Sequence, residues 1–165
     1  MEVSAADGWV GSLDNSSDGW KIVVVDLSDT DLEIELNHQP LDRNSTFDTG
    51  WDMLAIANST IVQVHNLANN NAEHLELNVS SPSEIHLAEH SEFGIVLLIV
   101  EDGNLRGATL DDKPIVVPVS PSSSTITTMA VHDNRLAIVY EDEPSLVRLG
   151  RVGITSVSDQ PLMFS

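Results

Sequence analysis

VLLIVEDGNLRGATL, residues 96–110, decides the fold. Five consecutive aliphatics are followed by Glu101, Asp102, Gly103 and Asn104, and then by a second apolar-containing run that ends at Leu110. Two such runs on either side of a short cluster of turn-forming residues are the signature of a β-hairpin. The first run, with Ile95 before it, has no polar alternation, so it reads as a strand buried on both faces.

The same figure recurs on either side. LAIANSTIVQVHNL starts at Leu54 and turns at Asn58-Ser59-Thr60; LAIVYEDEPSLVRLG starts at Leu136 and turns at Glu141-Asp142-Glu143-Pro144. The three starts are separated by 42 and then 40 residues. A weaker copy, WKIVVVDLSDTDLEIEL, starts at Trp20. Its first strand, 22–25, reads as fully buried. In its second, Asp31, Glu33 and Glu35 alternate with Leu32, Ile34 and Leu36, which puts carboxylates on one face and aliphatics on the other.

Further strands flank the hairpins. Leu75, Leu77 and Val79 alternate with polar residues after the first, 115–119 follows the second, and 154–157 follows the third. Pro114 and Pro118 cannot donate to a ladder, so the 115–119 strand belongs at a sheet edge. Short apolar stretches at 85–88 and 127–131 precede two of the hairpins. The repeating unit is four strands in roughly forty residues, and no segment carries a sustained helical period.

Four strands per forty residues, repeated, resembles the blades of WD40-type β-propellers. The third strand of such a blade ends in a Trp-Asp pair; here 61–67 has His65-Asn66 at that place, and Ala72-Glu73-His74 stands where a Gly-His pair would be. The 105–110 and 146–152 strands keep only the apolar pattern. The resemblance covers about residues 18–165 and implies an all-β chain, a partial β-propeller of three to four four-stranded antiparallel blades. A β-sandwich or jelly roll is the alternative, since evenly spaced short strands fit those too. Residues 1–17 are set apart as an N-terminal segment that could supply an outer strand, and 18–165 as a single β-repeat domain with blades at about 18–46, 47–82, 83–122 and 123–165.

Blade number carries a functional expectation. Propellers close with about four to eight blades, and an open array leaves apolar faces and strand edges uncovered. The chain is therefore expected to be a non-catalytic interaction scaffold in a larger assembly, completed by another chain or by self-association. A structural coat or capsid-type β protein, salt-adapted, is the alternative.

Composition narrows the partners. The chain has 26 acidic and 7 basic residues, a net charge of −19, and no cysteine. Phosphate backbones and anionic membranes are bound through Lys and Arg, so neither nucleic acid nor membrane is expected as a partner. A protein with a basic surface suits this charge. Thiol catalysis, thiolate metal sites and disulfides are excluded. The N-terminal residues show no signal-peptide pattern, and the longest apolar run, 94–100, is too short to span a bilayer. An intracellular location is expected.

Three motifs bear on chemistry. His86-Leu87-Ala88-Glu89-His90 matches H-x-x-E-H, a zinc-hydrolase pattern. On a helix both histidines would reach one Zn²⁺ with Glu89 as base, Ser81 and Glu84 would cap that helix, and Glu141 or Glu143 would supply a further ligand. Asp26, Asp29, Asp31 and Glu33 offer hard oxygen ligands for Ca²⁺ but lack the glycine of an EF-hand loop. Trp9, Trp20 and Trp51 each follow Gly, in the manner of a ligand-binding repeat or of core packing. The hydrolase reading is a second alternative; the expectation is no enzyme, no catalytic residue, no metal and no cofactor.

Overall fold

The structure is a computed structural model, described for residues 2–6, 8–17, 19–28, 33–36, 41–69, 72–110, 114–115, 124–152 and 158–161. Its strands form four four-stranded sheets. The first contains β1 (Glu2–Ala6), β2 (Trp9–Ser16), β3 (Gly19–Asp26) and β4 (Glu33–Leu36); the second contains β5 (Thr46–Gly50), β6 (Met53–Ala57), β7 (Ile61–Asn66) and β8 (Ala72–Asn78). The third contains β9 (Pro82–His90), β10 (Gly94–Glu101), β11 (Asn104–Thr109) and β12 (Pro114–Ile115); the fourth contains β13 (Ile126–His132), β14 (Arg135–Tyr140), β15 (Leu146–Arg151) and β16 (Ser158–Pro161). In each sheet the strands lie side by side in chain order, so each is an antiparallel meander. Four separate sheets are not the two facing sheets of a sandwich or jelly roll, so that alternative falls, and the coat-protein reading loses the fold it was built on.

The hairpins that carried the sequence argument are β6–β7, β10–β11 and β14–β15. The weaker copy is β3–β4. The strands that sequence patterning left out have little apolar character. Thr46-Phe47-Asp48-Thr49-Gly50 has one large apolar residue, yet Thr46, Phe47 and Thr49 are buried. The segment ahead of residue 18 carries two strands, β1 and β2, with β1 at the sheet edge. β12 is also an edge strand, where Pro114 is tolerated. The 154–157 stretch lies outside the described residues, and the strand after β15 is the polar Ser158–Pro161.

The buried run in β10 is as read from residue 96 onward: residues 96–100 are all 0–1% exposed, while Ile95 is half-buried. β3 is a correction. Ile22 and Val24 are fully buried, whereas Val23 and Val25 on the opposite face are only half-buried. An apolar run becomes a doubly buried strand only when something covers both of its faces.

The chain divides into two compact units, Met1–His86 and Leu87–Ser165. In the first, Trp9, Leu13, Ile22 and Val24 of the first sheet form a core with Phe47, Leu54 and Ile56 of the second and with Leu67, in the 3-10 turn Leu67–Asn69. Gly11 is required there: a Cβ on it would lie 2.5 Å from the Phe47 ring. In the second unit, Ala88, Val96, Leu98 and Val100 of the third sheet pack with Ile126, Met129, Leu136, Ile138 and Tyr140 of the fourth and with Val152. Each such aliphatic contributes about 1.5–3 kcal/mol by leaving water.

Asn58 holds the β6–β7 turn. Its Oδ1 accepts from the Thr60 and Ile61 amides, both at 2.9 Å, and from the Thr60 hydroxyl at 3.1 Å. Asn58 is 5% exposed, so its loss leaves those donors without water. Asn58→Ala is expected to lower stability by about 1–3 kcal/mol, read as a lower urea midpoint.

Candidate interaction surface

Hairpin turns on rigid sheets are the places where a fold of this kind can present side chains. In the second unit, Asp102 (φ 49°) and Gly103 (φ 73°) form the two-residue turn between β10 and β11, the left-handed pair that the twist of a hairpin favours. The turn between β14 and β15 is closed by Glu143 N donating to Tyr140 O and Leu146 N donating to Glu143 O.

The segment before β13 joins these two turns. Ile126 N donates to Gly103 O at 2.8 Å, and Glu141 N donates to Thr125 O at 3.0 Å. The Thr125 hydroxyl donates to Glu141 Oε2 at 2.7 Å, and Asp142 N donates to Ser124 Oγ at 3.1 Å. Glu101, Asp102, Glu141, Asp142 and Glu143 are thereby gathered on one rim. Asp102, Glu141 and Asp142 are exposed. Two arginines offset part of this charge: Arg106 lies 3.9 Å from Glu101, and Arg148 bonds Glu143. The Arg148 guanidinium also stands 5.7 Å from the Tyr140 ring centre, a cation–π contact. Burial raises the Tyr140 pKa above 10; the Arg148 charge opposes this and Asp142 adds to it, so the phenol stays neutral at physiological pH. Five carboxylates against two arginines leave the rim net negative.

The sequence motifs fare differently. H-x-x-E-H lies on β9, an extended strand, not on the helix its zinc chemistry requires. Strand rise separates positions i and i+4 by about 13 Å, whereas one helical turn would bring them together. His86 instead sits 3.5 Å from Glu84 and 3.8 Å from Asp48. His90 Nδ1 accepts from the Glu92 and Phe93 amides at 3.1 and 3.3 Å, and its ring packs on Phe93 at 4.7 Å. Glu89 is exposed. Among the described residues no three His, Asp or Glu side chains are grouped to hold a metal ion.

Of the proposed calcium ligands, Asp29 and Asp31 lie outside the described residues. Asp26 Oδ1 accepts from the Ser28 amide at 2.8 Å and hydroxyl at 2.7 Å, which makes it a turn residue. Trp9 is 5% exposed in the first core, with Nε1 donating to Asp52 Oδ1 at 2.9 Å; Trp20 packs against the same core, and Trp51 (φ 52°) forms the β5–β6 turn with Asp52 (φ 58°). The tryptophans are packing and turn residues. His65 is buried at the end of β7, the position the sequence matched to the Trp-Asp pair. Among the described residues no helix is long and apolar enough to cross a membrane.

No protein-family model matches this sequence, and no curated protein is similar to it in sequence. Solved structures are similar in fold. The crystal structure of the WD40 domain of SCAP from fission yeast aligns with a TM-score of 0.65 at 14% identity, over 97% of this chain and 43% of that one. The crystal structure of the computationally designed Ika4 protein aligns with a TM-score of 0.59 at 18% identity, over 92% of this chain and 89% of that one. The chain thus spans less than half the length of the SCAP chain it matches. At these identities the likeness concerns the fold: a WD40-like β-propeller, present here as four blades.

Proposed function

We propose that this chain is a non-catalytic protein–protein interaction scaffold, an intracellular, acidic propeller-type subunit of a larger assembly, whose propeller is completed by another chain or by self-association. The observation that carries the reading is the rim of Glu101, Asp102, Glu141, Asp142 and Glu143, fixed on two hairpins by Ser124 and Thr125. Side chains held on rigid hairpins bind with little ordering cost. A carboxylate-lined edge on a chain of net charge −19 selects a basic protein surface and repels nucleic acid and anionic lipid.

The test is recovery of partners by the tagged chain, alongside the variant E101Q/D102N/E141Q/D142N. These substitutions remove the charge, while the glutamine side chain introduced at position 141 can still accept from Thr125 and asparagine tolerates the left-handed turn at position 102. The expected result is a basic polypeptide held by the parent chain, bound at least about tenfold more weakly by the variant and released as salt screens the charges. A partner that binds both equally, at all salt concentrations, would show that the rim is not the recognition surface.

A further inference from the structure

We infer that the Arg135–Arg151 end of the second unit binds the carboxylate rim of a second copy of this chain, so that copies add end to end. The inference rests on the scaffold reading and names a partner for its rim.

The arginines of the second unit fall into two kinds. Arg106 lies 3.9 Å from Glu101, and Arg148 bonds Glu143. Arg135 and Arg151 form no ion pair among the described residues, in a chain with 26 acidic and 7 basic residues. They are direct cross-strand partners on β14 and β15, and His132 of β13 stands opposite Arg135 on its other side. Directly opposed residues point to one face, with Cβ atoms about 4.5–5.5 Å apart. His132, Arg135 and Arg151 therefore make one row, and all three are exposed. Like charges placed opposite each other destabilise an antiparallel pair, so an anion held between the arginines removes a repulsion the free chain carries. Asp133 does not remove it, because its carboxylate lies 3.7 Å from His132 Nε2. Nor does Glu89, which is exposed and forms no ion pair among the described residues.

The matching carboxylates stand at the other end of the same strands. Asp102, Glu141 and Asp142 are exposed and form no ion pair among the described residues. Arg135 starts β14, and Glu141 follows its last residue, Tyr140. Arg151 ends β15, which begins after the Glu141–Asp142 turn. Asp102 is tied to that end because Ile126 N donates to Gly103 O while the neighbouring Thr125 donates to Glu141. The six residues of β14 span about 20 Å. One unit thus carries arginines without anions at one end and carboxylates without cations at the other. Every copy brings both halves, so the two are always present in equal amount. A contact between opposite ends is heterologous, and each added copy presents the same two ends again. The net charge of −19 does not forbid it. At physiological ionic strength charges are screened beyond about 8 Å, so those at the contact outweigh those a strand length away.

The experiment is sedimentation equilibrium of the full chain over a concentration series at physiological salt. The wild-type mass is expected to rise with concentration above the 17.9 kDa of the single chain, and to fall back toward it in about 1 M salt. R135E/R151E and E141R/D142R are each expected to associate at least about tenfold more weakly, through like-charge contact. An equimolar mixture of the two is expected to associate again, because each contact then joins opposite charges. Unchanged circular dichroism establishes that the variants are folded. Where E141R/D142R loses that spectrum, D142R replaces it, since the Asp142 side chain holds no hydrogen bond among the described residues. Wild type that stays single at every concentration, variants that associate like the wild type, or a mixture that stays single each overturns the inference. If the wild type is single and the tagged chain recovers a basic polypeptide that E101Q/D102N/E141Q/D142N loses, the scaffold reading stands and the second copy falls; if it recovers nothing, both fall.

Discussion

Leu98→Ala is expected to lower the stability of the second unit by about 3–5 kcal/mol. Leu98 is 0% exposed at the middle of β10 and packs with Val96, Val100 and the fourth sheet's Leu136 and Ile138. Its cross-strand partner is Gly107, which has no side chain to move into the vacated volume. The cost of such a truncation is the lost transfer free energy plus a cavity term, and the cavity persists where neighbours cannot collapse. The control is Leu98→Met, near in volume, expected to cost less than about 1.5 kcal/mol. The chain's own chromophores separate the two units. The single tyrosine, Tyr140, lies in the second unit's core, while all three tryptophans lie in the first unit. Tyrosine fluorescence in a urea titration should therefore shift its midpoint in Leu98→Ala. If that midpoint is unchanged, the packing described for β10 is wrong.

Gly103→Ala is expected to cost about 2–5 kcal/mol from two separate causes. Gly103 has φ 73°, where a Cβ adds about 1–2 kcal/mol of backbone strain. That Cβ would also lie 2.4 Å from Thr125 Cβ and 3.0 Å from its Cα, and such overlap in a packed site adds about 1–3 kcal/mol. Gly94→Ala isolates the first cause, since Gly94 has φ 71° and nothing within 4 Å of the added carbon. Thr125→Gly in the Gly103→Ala background isolates most of the second, because it removes the overlap with the Thr125 side chain and leaves the strain and the 3.0 Å approach to Cα. Gly103→Ala should thus be worse than Gly94→Ala, and the double variant should recover part of the difference. The change also bears on function. Thr125 carries the hydrogen bonds that hold Glu141 beside the Asp102 turn, so a displaced Thr125 spreads the rim and should weaken a basic partner. Equal stability of Gly94→Ala and Gly103→Ala would rule out the close approach of Gly103 and Thr125.

How much was legible in sequence varied with how much side-chain pattern each element carries. β10–β11 announced itself because its first strand is a pure aliphatic run and its turn is Asp-Gly, two local features with local causes. β5 stayed hidden because Thr46, Thr49 and Gly50 are buried without being apolar. Ahead of residue 18 the sequence offered one outer strand where the structure has two, β1 and β2, because Ser, Gly and Asn interrupt the alternation there. The difference between β10 and β3 shows the limit from the other side. Both are aliphatic runs, and whether a run is covered on one face or two depends on a neighbouring sheet that no local pattern names.

The site followed the same division. H-x-x-E-H was legible as a motif, and its meaning depended on whether residues 82–90 coil or extend. Once β9 is a strand, His86 turns to Asp48 and Glu84 while His90 caps its own turn. The acidic turns at 101–104 and 141–144 were each visible as turns, but their union was not, because Ser124 and Thr125 join them by hydrogen bonds that depend on packing of the third and fourth sheets. The Arg135–Arg151 pair is far apart in sequence and adjacent only through the β14–β15 register.

By itself, then, the forty-residue recurrence of apolar run, turn and apolar run determined that the chain is all-β and built of repeated hairpins, because strand period and turn chemistry are local properties of a few residues. Only the tertiary structure decided that the Leu54, Val96 and Leu136 hairpins are the middle strands of their sheets while the Trp20 copy forms the last two strands of its own, which faces those sheets bury, and which charges meet at their rims. Those outcomes are set by contacts between residues far apart in sequence, and side-chain periodicity within one strand carries no information about what lies across from it.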